Sequence, residues 1–136
     1  MEELVSPSEP TARFITQRSY YRSSDKTVKH NAYMPNKNGE TSIYRTTGIT
    51  DSEIYKIGQK YVREKIGRSI KGHAEIVTSE IIKHELAVKA DPSPHPRHAN
   101  IIDWPEDKTK QRIIAVELAD KALLHLIPHN LSGSSI

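Results

Sequence analysis

At 136 residues and a net charge of +3, the chain is long enough for one domain with a single core. With 35% hydrophobic residues, one Phe and one Trp, that core is expected to be modest. The absence of cysteine excludes disulfides, thiolate metal sites and cysteine nucleophiles.

No signal-peptide-like or membrane-spanning apolar run is visible, so the expectation is a cytoplasmic chain with no membrane contact. Charge is unevenly spread. Between Thr11 and Thr47 there are seven basic residues against two acidic, a local balance of +5, whereas the chain from Gly48 onward is nearly balanced. A positive field there can attract an acidic partner or a nucleic acid.

In chain order, residues 1–11 read as a flexible leader. Arg13 to Tyr21 is dense in β-branched and aromatic types and predicts a strand. Lys29 to Met34 and Thr41 to Arg45 predict two more, joined through PNKNGE, whose Asn38-Gly39 pair suits a tight hairpin turn. Thr50 and Glu53 have capping-box spacing and predict a helix from Asp51 to about Lys65, stopped by Gly67, with Ile54, Ile57, Tyr61 and Val62 on its apolar side. For 72–90 the preferred reading is a strand over His73 to Val77, a short helix from Thr78 to about Glu85, and a strand over Leu86 to Ala90. The alternative, one helix, leaves its apolar residues scattered.

Pro92, Pro94 and Pro96 then predict an extended loop. Asp103, Pro105 and Glu106 have the spacing of a capping box with proline in the first turn, and predict the start of the last helix. Ala115, Val116, Ala119, Ala122, Leu123 and Leu126 form its expected buried face, Pro128 its end, and Asn130 to Ile136 a fraying tail. The sum is a single α+β domain over 12–129: a small, mainly antiparallel sheet packed against two principal helices.

The chemically crowded stretch is HPRHAN, His95 to Asn100. His98 can serve as general base or acid, Arg97 can stabilise an anion, and Asn100 can donate to it. These are the candidate catalytic residues of a small hydrolase or nuclease centred on His98. His95 and His98, with Asp91, Asp103 and His73, are weak metal-ligand candidates because their spacing places no two imidazoles on one helical face. No P-loop or serine-hydrolase elbow motif is present, and no cofactor is expected. The bland reading assigns His98 a buried hydrogen bond and Ile101 and Ile102 a place in the core.

Two binding readings stand beside the enzymatic one. In the favoured reading, Arg97, His98, Asn100 and Trp104 anchor a proline-stiffened contact surface of an accessory protein that acts through a larger protein partner or as a homo-oligomer. In the other, Arg13, Arg18 and Arg22 with Tyr20 and Tyr21, joined by Lys56, Lys60 and Arg63, contact nucleic acid through phosphates and stacked bases.

The segments SIYRTTGITDSEIYKIG, GHAEI and HPRHANIIDWPEDK together resemble a group of small bacterial proteins of unassigned function. In that group an R-T-x-G-L-type strand end precedes a helix, and a P-R-H-A-N-I-x-x-W-P-like segment precedes the last helix. The resemblance spans roughly Tyr33 to Leu126 and leaves Arg13 to Asn31 outside. It implies no activity. Because such proteins are often encoded beside larger partners, it implies an accessory role in a bacterial defence or mobile-element system.

Overall fold

The computed structural model describes residues 3–63, 67 and 69–127. Its described strands are β1 (Pro10–Ile15), β2 (Tyr21–Arg22), β3 (Thr27–Val28), β4 (Thr41–Arg45), β5 (Gly72–Val77), β6 (Ala87–Ala90), β7 (His98–Ile102) and β8 (Leu123–Leu126). The helices are α1 (Asp51–Ile57), continued as a π-helical segment Gly58–Arg63, then α2 (Thr78–Ile82) and α3 (Lys108–Lys121). Six strands form one antiparallel sheet in the order β6-β7-β4-β1-β5-β8, and β2-β3 form a separate ribbon. The fold is α+β, as expected, but the sheet is covered on both faces.

Strand alternation explains the layering, since successive side chains point to opposite faces. Ile15, Ile43, Ala74, Ile76, Val88, Ala99 and Ile101 share the main core with Ala115, Leu118 and Ala119 of α3 and Ile81 of α2. On the other face Ala12, Phe14 and Tyr44 pack with Ile54 of α1 and Ile70. Gly58 is required at this second contact: a Cβ there would lie 2.7 Å from the Phe14 ring.

Local signals held where the chain could satisfy itself. Thr50 and Glu53 form the reciprocal capping box at α1, and Gly67 takes a φ of +70° where its N–H reaches Arg63 O. The expected end near Lys65 lies outside the described residues. The strand-helix-strand reading of 72–90 is observed.

Several expectations are corrected. Residues 3–11 are not a free leader: Val5 is buried, its N–H donates to Val88 O, and Ala90 N–H donates to Glu3 O. This segment covers the outer edge of β6, an unpaired row of backbone groups that would otherwise invite intermolecular pairing. The strand expected over Arg13–Tyr21 ends at Ile15, and a 3-10 turn occupies Arg18–Tyr20. Lys29–Met34 is no strand; His30–Ala32 is a 3-10 turn. Asn38-Gly39 does form a tight turn, held by Asn36 Oδ1 accepting from Asn38 N and Glu40 N, but it joins no hairpin. The proline-rich loop is shorter than expected, and His98–Ile102 is an interior strand.

The last helix is capped by Asp107, whose carboxylate accepts from Thr109 N and Lys110 N, rather than by Asp103. Asp103 takes a φ of +68°, which is unlike the extended backbone an N-cap needs. The helix stops at Lys121, because Leu123–Leu126 extends to pair with β5 as an edge strand. Val116 and Leu123, expected to be buried, are exposed. Pro128 and the expected tail fall outside the described residues.

Glu9 ties the N-terminal segment to the sheet. Its carboxylate accepts from Arg45 Nε and Nη2, both at 2.9 Å, and these bonds hold its pKa below the ordinary value of 4.5. The ionised form therefore contributes stability above about pH 4.5, lost as pH falls through the folded-state value. Glu9→Gln is expected to lower stability at pH 7 by about 1 kcal/mol and to flatten the decline as pH falls below about 4.5, read by urea denaturation at each pH. Tyr33 is fully buried, its hydroxyl has no hydrogen-bond partner among the described residues, and burial pushes its pKa up. Tyr33→Phe is expected to raise stability by about 1 kcal/mol in the same assay, because it removes an unpaired buried hydroxyl.

Candidate functional site

The β4–β7 ladder assembles the site. It sets Ser42 opposite Asn100 and Tyr44 opposite His98, and their alternation puts all four side chains on the face that α1 covers. Asp91, just past the end of β6, reaches the same face through its contacts with His98 and Asn100.

His98 is buried and held at both ring nitrogens. Nδ1 lies 2.9 Å from the backbone oxygen of Asp91 and Nε2 lies 2.7 Å from Ser42 Oγ. A carbonyl oxygen can only accept, so in the neutral ring Nδ1 carries the proton and Nε2 accepts from the Ser42 hydroxyl. The Asp91 carboxylate stands 3.5 Å from Nδ1 and is itself held by Asn100 Nδ2 at 3.1 Å. The result is a hydroxyl, an imidazole in the accepting tautomer, and a carboxylate behind it.

These groups line a cavity of about 680 Å³. Its lining combines aromatic and apolar residues, Phe14, Tyr44, Tyr61 and Val62, with polar ones, Arg13, Gln17, Asn36 and Glu40. Burial, with Tyr61 beside it, pushes the Tyr44 hydroxyl pKa up, so it remains a proton donor at neutral pH.

The cavity exists because β1 and β4 pair only at Thr11–Arg45 and Ala12–Tyr44. Beyond Ala12 the strands part, and Arg13 fills the gap. Its Nε donates to Ala32 O at 2.6 Å, Nη1 to Ser42 O at 2.9 Å and Nη2 to Tyr20 Oη at 3.3 Å. Arg13 thus satisfies carbonyls that no strand reaches, one of them the backbone of Ser42 itself.

The expected constellations are only partly brought together. His98 and Asn100 share the cavity, but Arg97 turns away and donates through Nη1 to Arg45 O and Thr47 O. Trp104 packs against the main core, on the opposite side of the sheet from His98. Arg97, His98, Asn100 and Trp104 therefore form no single contact surface. His95 and His98 form no metal pair: His95 Nδ1 accepts from Arg97 N, its ring packs against Tyr61, and burial, then the Arg97 charge, pushes its pKa down.

Of the nucleic-acid candidates, Arg13 is committed to the strand gap, Arg22 pairs with Asp25, and Tyr20 and Tyr21 pack against the core. Arg18, Lys56, Lys60 and Arg63 remain exposed. Sequence reasoning missed Ser42, which carries no local motif, and missed the pairing of His73 with His125. Burial, and then the nearby His125, pushes His73 down to about 4, leaving its ring neutral at pH 7.

No helix among the described residues is long and apolar enough to cross a membrane. No family model matches the chain, and no curated protein or solved structure is significantly similar to it.

Arg13→Met is expected to cost about 2–3 kcal/mol in urea denaturation, since two carbonyls lose their donor. Arg13→Lys is expected to recover only part of this, because an ammonium lacks the fork that reaches both.

Proposed function

We propose that the chain is a small hydrolase in which His98 acts as general base on the Ser42 hydroxyl. The observation that carries this reading is the 2.7 Å contact between Ser42 Oγ and His98 Nε2, with the accepting tautomer set by the Asp91 carbonyl, beside a cavity large enough for a small molecule. A hydroxyl–imidazole pair so arranged suits acyl transfer to and from an ester. Ser42 Oγ bonds to the carbonyl carbon as its proton passes to Nε2. The imidazolium then returns that proton to the leaving alcohol oxygen as the ester bond breaks. Water, deprotonated by the same nitrogen, releases the acid and restores Ser42. Asn100 and Arg13 line the cavity with N–H groups beyond those their protein contacts use, and these are the donors proposed for the developing oxyanion.

Asp91 acts mainly through its backbone in this scheme, since the carbonyl lies closer to Nδ1 than the carboxylate does. That separates it from a triad that depends on an aspartate side chain.

A second reading, the accessory protein acting through a larger partner, draws support from a different place. Ile113 and Val116 of α3 and Leu123 of the edge strand β8 are large apolar side chains left exposed. A nucleic-acid-binding role has the weaker support of exposed Lys56, Lys60 and Arg63.

A fluorophosphonate probe and a panel of p-nitrophenyl esters test the hydrolase. Wild type is expected to take one probe adduct at Ser42 and to turn over at least one ester. Ser42→Ala and His98→Ala are expected to lose about 10²–10⁴-fold in kcat/KM with the fold kept by circular dichroism. Asp91→Asn is expected to lose less than about tenfold, because the carbonyl still orients the ring. Absence of an adduct together with turnover equal in wild type and Ser42→Ala would remove this reading.

A further inference from the structure

A second cluster of reactive side chains lies on the same face of the sheet as the Ser42–His98 pair, toward its β8 edge. His73 of β5 and His125 of β8 are directly opposed in the antiparallel register, and their rings stack 4.7 Å apart with planes 10° from parallel. Asp51, the first residue of α1, overhangs them, with its Oδ2 3.8 Å from His125 Nδ1. One ligand atom from each of the three lies within 4.8 Å of the others.

We infer that Asp51, His73 and His125 form a binding site for a divalent cation of the zinc class. Two imidazoles and a carboxylate are the donor set that this borderline metal takes, and Mg²⁺ or Ca²⁺, which prefer oxygen donors, suit it poorly. Metal bonds of about 2.0–2.1 Å in tetrahedral geometry place ligand atoms roughly 3.3 Å apart. The His125–Asp51 pair is within about half an ångström of that separation; to direct both imidazole lone pairs at one ion, the partly exposed His125 ring turns out of its stack on His73, and the exposed Asp51 rotates to meet it.

The surroundings of the two rings bear on the site. His73 is buried, and its ring nitrogens make no hydrogen bond among the described residues. On the far side of His125, Glu75 Oε1 stands 2.9 Å from Nε2. That contact forms no hydrogen bond, and Nδ1 is the nitrogen that faces Asp51.

The site has three protein ligands and a side open to solvent. All three line a cavity of about 500 Å³ walled by Phe14, Ile70 and Ile127, with Lys56 at its margin. A fourth coordination position there is available to water or to an anionic donor, the arrangement of a reactive rather than a purely structural zinc. Neither Ser42 nor His98 belongs to this site.

The test uses the full chain without a polyhistidine tag, stripped with EDTA and titrated with Zn²⁺ against a chromophoric chelator. Wild type is expected to bind one equivalent with Kd of about 10 µM or tighter. Asp51→Asn and His125→Gln, both at accessible positions, are each expected to weaken binding by tenfold or more. His84→Gln, whose ring faces Glu117 instead, serves as the control and is expected to leave affinity within twofold. Co²⁺ in place of Zn²⁺ is expected to give the visible absorption of a four-coordinate nitrogen and oxygen site, lost in His125→Gln. His73→Ala is avoided as the deciding variant because His73 is buried in the sheet. Binding weaker than about 10 µM, or affinity unchanged in either Asp51→Asn or His125→Gln, overturns the site.

Discussion

The ladder between Thr41–Arg45 and His98–Ile102 is the constraint from which the site follows. Strand periodicity is two, so a shift of one residue would send Ser42, Tyr44, His98 and Asn100 to the face that now holds Ile43, Ala99 and Ile101. The apolar residues prevent that slip. Ile43, Ala99 and Ile101 are wholly buried in the main core, and their burial holds the polar set on the opposite face. The hydrophobic effect thus fixes the 2.7 Å approach of a serine to a histidine without acting on either.

A second constraint is the brief contact of β1 with β4. Two residue pairs join the strands before they diverge, and Arg13 bridges the opening with three donors. The polar cavity sits where regular pairing fails. A continuous ladder would have satisfied the Ser42 carbonyl with backbone and left no concave surface beside it. Positive charge that the sequence suggests for nucleic acid is, at Arg13, consumed by the architecture.

The antiparallel pairing of β5 with β8 does comparable work at the other end of the sheet. The turn out of α3 brings an edge strand back along Gly72–Val77 and stacks His125 on His73. Gly72 admits this approach, since a Cβ there would stand 2.2 Å from the His125 carbonyl oxygen. Two sets of titratable side chains, Ser42–His98–Asp91 and Asp51–His73–His125, therefore lie on one face of one sheet and share Phe14 in the walls of their cavities.

By itself the sequence determined what local physics controls. The capping box at Thr50, the left-handed backbone at Gly67, the tight turn at Asn38-Gly39 and the strand-helix-strand of 72–90 each draw on residues within a few positions of one another. Even the interior strand was partly legible: in His98–Ala99–Asn100–Ile101 polar and apolar residues alternate, though the prolines before it suggest a loop. The Asp103–Glu106 spacing misled because Asp107 offers a competing cap, and only the backbone conformation at Asp103 decides between them. What the tertiary structure alone decided is which distant residues meet. Ser42 and His98 are 56 positions apart, and a lone serine in a strand carries no mark of its partner. His73 and His125 likewise become neighbours only when the last helix ends at Lys121 and its continuation finds the open edge of β5. Such contacts depend on strand order and register, which arise from burial summed over the whole core and not from any one stretch of chain.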